Sequence, residues 1–82
     1  MQYSSQYLWD MEIERRILLM LKDGYTQDQV SYELKELEIK PNSVSSVEKI
    51  LKDIRKKYGA ITMFQLAFIL YDDNYFDDED ES

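Results

Sequence analysis

The sequence contains no cysteine and no histidine. The first absence removes disulfides and all thiol chemistry. The second removes the commonest general base and the commonest metal ligand. Two glycines and one proline leave little turn material, which disfavours a many-stranded sheet. The longest uncharged run, residues 58–71, is too short and too broken to span a membrane. The first twenty residues lack the basic start and small-residue cleavage site of a secretory signal. A cytoplasmic location is therefore expected, and Met1 points to a whole translated product. Eighty-two residues suffice for one domain with a small core.

Charge is abundant but unevenly placed. The formal net charge is -7, yet residues 1–71 carry ten basic and ten acidic groups. The deficit lies in Asp72, Asp73, Asp77, Asp78, Glu79, Asp80 and Glu81. A second asymmetry lies inside the neutral part. Residues 1–39 hold four basic and eight acidic groups, whereas residues 40–57 hold six basic and two acidic, a net +4. A neutral body with one basic element and an acidic tail has a different binding potential from a uniformly acidic protein.

The pattern is helical throughout. Ile13, Ile17, Leu18, Met20 and Leu21 fall at helical spacing, so a first helix is expected over about residues 10–23, capped by Asp10. Gly24 can adopt the left-handed conformation that ends a helix. Thr26 and Gln29 form a Thr-x-x-Gln capping box for a second helix over 26–37, with Val30, Leu34 and Leu37 inward. Ile39 is expected to tuck inward after it. Pro41 suits the first position of a third helix running to Tyr58, with Val44, Val47, Leu51, Ile54 and Tyr58 on one side. Gly59 closes it. Thr62 and Gln65 repeat the capping signature before a fourth helix, 62–71, that is apolar at nearly every position. Residues 1–9 form an amino-terminal arm and residues 72–82 an acidic tail expected to be disordered. Helix, tight turn, helix, then a long third helix is the layout of small DNA-binding helical domains.

Three segments carry a resemblance. Glu14-x-x-Ile17-Leu18-x-x-Leu21-x-x-Gly24-Tyr25-Thr26-Gln27-x-x-Val30 resembles the opening of the LuxR-type (GerE-type) helix-turn-helix domain. Leu37-x-Ile39-Lys40-Pro41-Asn42-Ser43-Val44 is similar to the start of that family's recognition helix. Ile54-Arg55-Lys56-Lys57-Tyr58-Gly59-Ala60 is similar to its ending. The likeness spans about residues 10–71. It departs from the family pattern in a longer second helix and about three extra residues between Val44 and Gly59. Two registers stay open, one aligning Val44 and the other Ser46-Val47 with the family's Thr-Val pair. The resemblance implies an all-α, four-helix LuxR-like helix-turn-helix domain. Such a domain dimerises through its fourth helix and reads DNA with its third.

The candidate DNA-binding residues are Asn42, Ser45, Ser46, Lys49, Lys52 and Lys56. Serine and asparagine can bond base edges, and lysines neutralise phosphates. The plain alternative is a solvated helix face whose C-terminal lysines suit the helix dipole. The candidate dimer interface is Phe64, Ala67, Phe68 and Tyr71, because a short terminal helix can bury only one side against its own domain. The alternative is a cover formed by Trp9 and the arm. The acidic tail can compete with DNA for the basic helix, anchor a partner through Tyr75 and Phe76, or serve solubility alone.

Neither a nucleophile–base pair nor a phosphate-cradling glycine loop is present. The adjacent carboxylates do not face one another on a helix, and the tail lacks calcium-loop spacing. The chain is therefore expected to be neither an enzyme nor a cofactor or metal carrier. The expected function is transcriptional regulation as a DNA-binding dimer, with any signal arriving through a partner, the tail or abundance. The rival is a protein-interaction module with the same fold that no longer binds DNA and docks a regulatory partner through helix four or the tail.

Overall fold

The computed structural model describes residues 12–76, which form four α-helices and, among the described residues, no strand. The fold is all-α. The arm, with Tyr7, Leu8 and Trp9, the candidate cap Asp10 and the acidic residues from Asp77 onward lie outside the described residues. The chain divides into two units, residues 1–51 and 52–82.

The first unit holds α1 (Ile13–Lys22), α2 (Gln27–Glu36) and the beginning of α3 (Val44–Tyr58). α1 starts later than the expected residue 10. Glu12 occupies its N-cap position without a side-chain capping bond. Arg16, Ile17, Leu18, Leu19 and Met20 are all buried. Five successive buried positions exceed a one-sided stripe, so α1 is covered on more than one face. α1 packs against α2, which buries Val30, Ser31 and Leu34. Val47, Leu51 and Ile39 complete the buried apolar set of this unit.

The turn after α1 forms as its residues require. Gly24 has φ +99°, and a Cβ there would meet nothing within 4 Å, so glycine is needed for backbone freedom and not for space. The Thr26 N–H donates to Gln29 Oε1 at 2.8 Å, and the Gln29 N–H donates back to Thr26 Oγ1 at 3.1 Å. This reciprocal pair satisfies two donors that a helix start would leave open.

α3 begins at Val44 and not at Pro41. The Ser43 hydroxyl accepts from the Ser46 N–H at 3.0 Å, and the Ser43 carbonyl accepts from the Val47 N–H at 2.9 Å. Ser43 therefore takes the capping role, and Pro41 and Asn42 belong to the turn before it. Asn42 is fastened there. Its Nδ2 donates to the Ile39 carbonyl at 3.0 Å, while its own carbonyl accepts from Ser31 Oγ at 2.6 Å.

The second unit holds the end of α3 and α4 (Met63–Asp72). Ile54, Ala60, Leu66 and Leu70 are buried. Thr62 Oγ1 accepts from the Gln65 N–H at 3.0 Å, as its signature predicts. Gln65 Oε1, however, accepts from the Ile61 N–H at 2.7 Å, so the reciprocal half of the box reaches one residue further back.

All four helices end alike. Gly24, Glu38, Gly59 and Asn74 each have positive φ. In each case the following residue's N–H bonds back five positions: Tyr25 to Met20, Ile39 to Leu34, Ala60 to Arg55, and Tyr75 to Leu70, at 2.8–3.0 Å. This is the Schellman closure, which turns the chain across the helix end and satisfies carbonyls left open there.

Candidate nucleic-acid interface

Within α3, the buried residues Val47, Leu51 and Ile54 define one side. At about 100° per residue, Ser45, Lys49, Lys52 and Lys56 fall within a strip about 60° wide on the opposite side. All four are exposed. The strip covers about 16 Å of helix axis, with the lysines spanning the last 10 Å or so. Spacings of four, three and four residues keep these positions in one line along the helix.

The exposed carboxylates of Glu48 and Asp53 flank the strip, one on each side. They reduce its net charge and confine the positive field to a ribbon. Arg55, Lys56 and Lys57 occupy the last turn of α3, where cations are favoured by the helix dipole. Lys57 also lies 5.8 Å from the Tyr58 ring centroid, which fixes part of its side chain over an aromatic face.

The structure thus brings together Ser45, Lys49, Lys52 and Lys56 of the candidate set. It separates the other two by their engagement. Asn42 is half-buried, with its amide nitrogen committed to the Ile39 carbonyl. Ser46 is half-buried, and its hydroxyl lies 2.9 Å from that of Ser43, which donates to it. Both hold the leading end of α3 in place.

The fourth helix has the same geometry with apolar side chains. Phe64, Phe68 and Tyr71 share a strip of about 60°, opposite the buried Leu66 and Leu70. They are 86%, 64% and 78% exposed, and Ile61, just before the helix cap, is 83% exposed. Ala67 is exposed at the strip's margin. Ile61 carries no sequence signal for this role, because it precedes the cap and belongs to no helical period. Ser31 carries no sequence signal either, although it anchors the turn before α3.

Among the described residues no group of three or more acidic, histidine or cysteine side chains is placed to hold a metal ion. No helix among them is long and apolar enough to cross a membrane. Comparisons with protein-family models, curated proteins and solved structures find no match.

Proposed function

We propose that this chain is a LuxR-like helix-turn-helix regulator of transcription that binds DNA through α3 and pairs with a second copy through α4. The observation that carries the reading is the strip formed by Ser45, Lys49, Lys52 and Lys56, aligned on the side of α3 opposite its buried residues. An exposed helical ridge of this kind can lie along a major groove, its lysines on phosphates and its serine near base edges. The capped corner between α1 and α2 and the resemblance of three sequence segments to the LuxR type support the same reading. Affinity is expected to be modest and strongly salt-dependent, because phosphate neutralisation dominates.

The α4 strip supports pairing. Three large aromatic side chains and Ile61 expose on the order of 500 Å² together. That equals the largest apolar patch of a typical monomer. It is somewhat below the roughly 800 Å² per partner of a standard interface, so polar rim contacts must supply the remainder. A two-fold pair would match a two-fold DNA site.

The rival reading, an interaction module without DNA binding, draws on the same apolar strip and on the two carboxylates beside the lysines. Titrating mixed-sequence duplex DNA with the protein at low salt separates the two. Binding that is lost in the Lys49→Ala, Lys52→Ala, Lys56→Ala triple variant, with helix content unchanged, supports the regulator. No binding by the native chain, whether its tail is native or neutralised, rejects it in favour of the module.

A further inference from the structure

The exposed side of the first two turns of α3 carries a carboxylate that phosphate binding does not explain. Ser45, Glu48 and Lys49 are all exposed there, and all three lie in the first unit with α2. Glu48 stands about 60° round the helix from Ser45 and about 100° from Lys49. Among the described residues it makes no ion pair. A carboxylate beside a lysine repels every phosphate it approaches. On a surface that meets only the DNA backbone it lowers affinity at all sequences.

The major groove offers such a group one kind of partner. The exocyclic amino groups of cytosine and adenine donate there. Adenine sets its N7 acceptor beside that amino group, so a carboxylate that bonds the one meets the lone pair of the other. Cytosine has only a C–H on that side. An ionised carboxylate accepts and cannot donate, so the cytosine N4 amino group is the donor it suits best. Glu48 lies about 8 Å along the axis from the cap Ser43. That keeps it toward the end of the helix that meets base edges in helix-turn-helix docking.

Reading a base edge needs a fixed frame, and this end of α3 has one. Ser31 Oγ, buried in α2, donates to the Asn42 carbonyl at 2.6 Å, and Asn42 Nδ2 donates to the Ile39 carbonyl at 3.0 Å. The Ser43 hydroxyl accepts from the Ser46 N–H at 3.0 Å. Val47, the residue before Glu48, is fully buried. The backbone that carries Glu48 is thus held by a tied turn on one side and a core residue beneath it.

We propose that Glu48 is a specificity-determining residue that accepts a hydrogen bond from the N4 amino group of a cytosine, so that the sites bound carry a C·G pair at that position. The inference rests on the reading of α3 as the DNA-binding helix and adds the base it selects.

The test uses the full chain in three forms, native, Glu48→Ala and Glu48→Gln, with circular dichroism to establish equal helix content. Each is offered a pool of random-sequence duplex DNA at low salt, and the retained sites are sequenced. Affinities are then measured on the site preferred by the native chain and on its single-base-pair replacements. The proposal expects one position at which the native chain favours C·G over the other pairs by about tenfold. Glu48→Ala levels that position and leaves the others as they were. Glu48→Gln turns it toward A·T, because an amide bonds adenine N6 and N7 together. An ordinary solvated carboxylate behaves differently: its removal raises affinity by a similar factor at every sequence and leaves each base preference intact. That result overturns the proposal, as does a native profile with no cytosine-selected position, while the DNA reading stands in both cases. A native chain that binds no duplex at low salt overturns the DNA reading and the proposal together.

Discussion

The Ser31 hydroxyl donates to the backbone carbonyl of Asn42 at 2.6 Å. Through this bond a buried residue in the middle of α2 holds the turn that launches α3. Asn42 adds a second tie through its side chain to the Ile39 carbonyl. Together they set where the basic helix begins relative to α2. Ser31→Ala is expected to cost about 1 kcal/mol, the usual loss for a hydrogen bond whose acceptor is left partly buried. Urea unfolding measures it. The account also expects the amide shifts of residues 39–46 to move more than those of α1.

The left-handed C-terminal positions can be tested in opposite directions. Glu38 holds φ 58° with a side chain that this region disfavours. Glu38→Gly is expected to stabilise the protein by about 1 kcal/mol, and Gly24→Ala to destabilise it by a similar amount. Because a Cβ at Gly24 meets no neighbour, the second effect is pure backbone strain. Thermal unfolding of both variants checks the pair of signs.

The corner between α1 and α2 depends on its cap. Thr26→Ala removes the acceptor of the Gln29 N–H and is expected to cost about 1 kcal/mol. Thr62→Ala removes the acceptor of the Gln65 N–H in the same way, and in both variants the glutamine side chain keeps its backbone N–H partner. The two losses are expected to be similar. Denaturant midpoints of the two variants give the comparison directly.

α4 separates stability from association. Leu66→Ala and Leu70→Ala remove fully buried side chains and are expected to cost 2–5 kcal/mol each, by the usual scale for buried leucines. Phe64→Ser with Phe68→Ser changes exposed residues and is expected to leave unfolding within about 0.5 kcal/mol of the native chain. If α4 pairs two copies, the double variant sediments as a monomer at concentrations where the native chain is a dimer. A native chain that is already monomeric at high concentration removes the pairing element of the account.

How much of this was legible in the sequence differs by feature. Thr26 with Gln29 and the apolar spacing of α3 marked their elements, because capping and helical period are local rules. Gly24 and Gly59 marked helix ends for the same reason. Glu38 and Asn74 take the same backbone conformation, but neither residue type demands it. Pro41 suggested a helix start three residues too early. Ser43 competes for the cap, and only the tertiary bonds of Asn42 decide between them. At the candidate interface, the lysine strip followed from spacing alone. The engagement of Asn42 and Ser46 did not, because it depends on a turn whose geometry no local rule specifies. Ile61 joined the exposed apolar residues unseen, since it lies outside any helix.

The central claim, that the ridge of Lys49, Lys52 and Lys56 is a polyphosphate-binding surface, is tested most directly by the salt dependence of duplex affinity. Each lysine that neutralises a phosphate adds about 0.9 to the slope of log affinity against log salt. The account predicts that replacing all three with alanine lowers that slope by about 2.7 and weakens binding at low salt across all sequences. A native chain without measurable duplex binding at low salt, or a slope unchanged by the three substitutions, would contradict it.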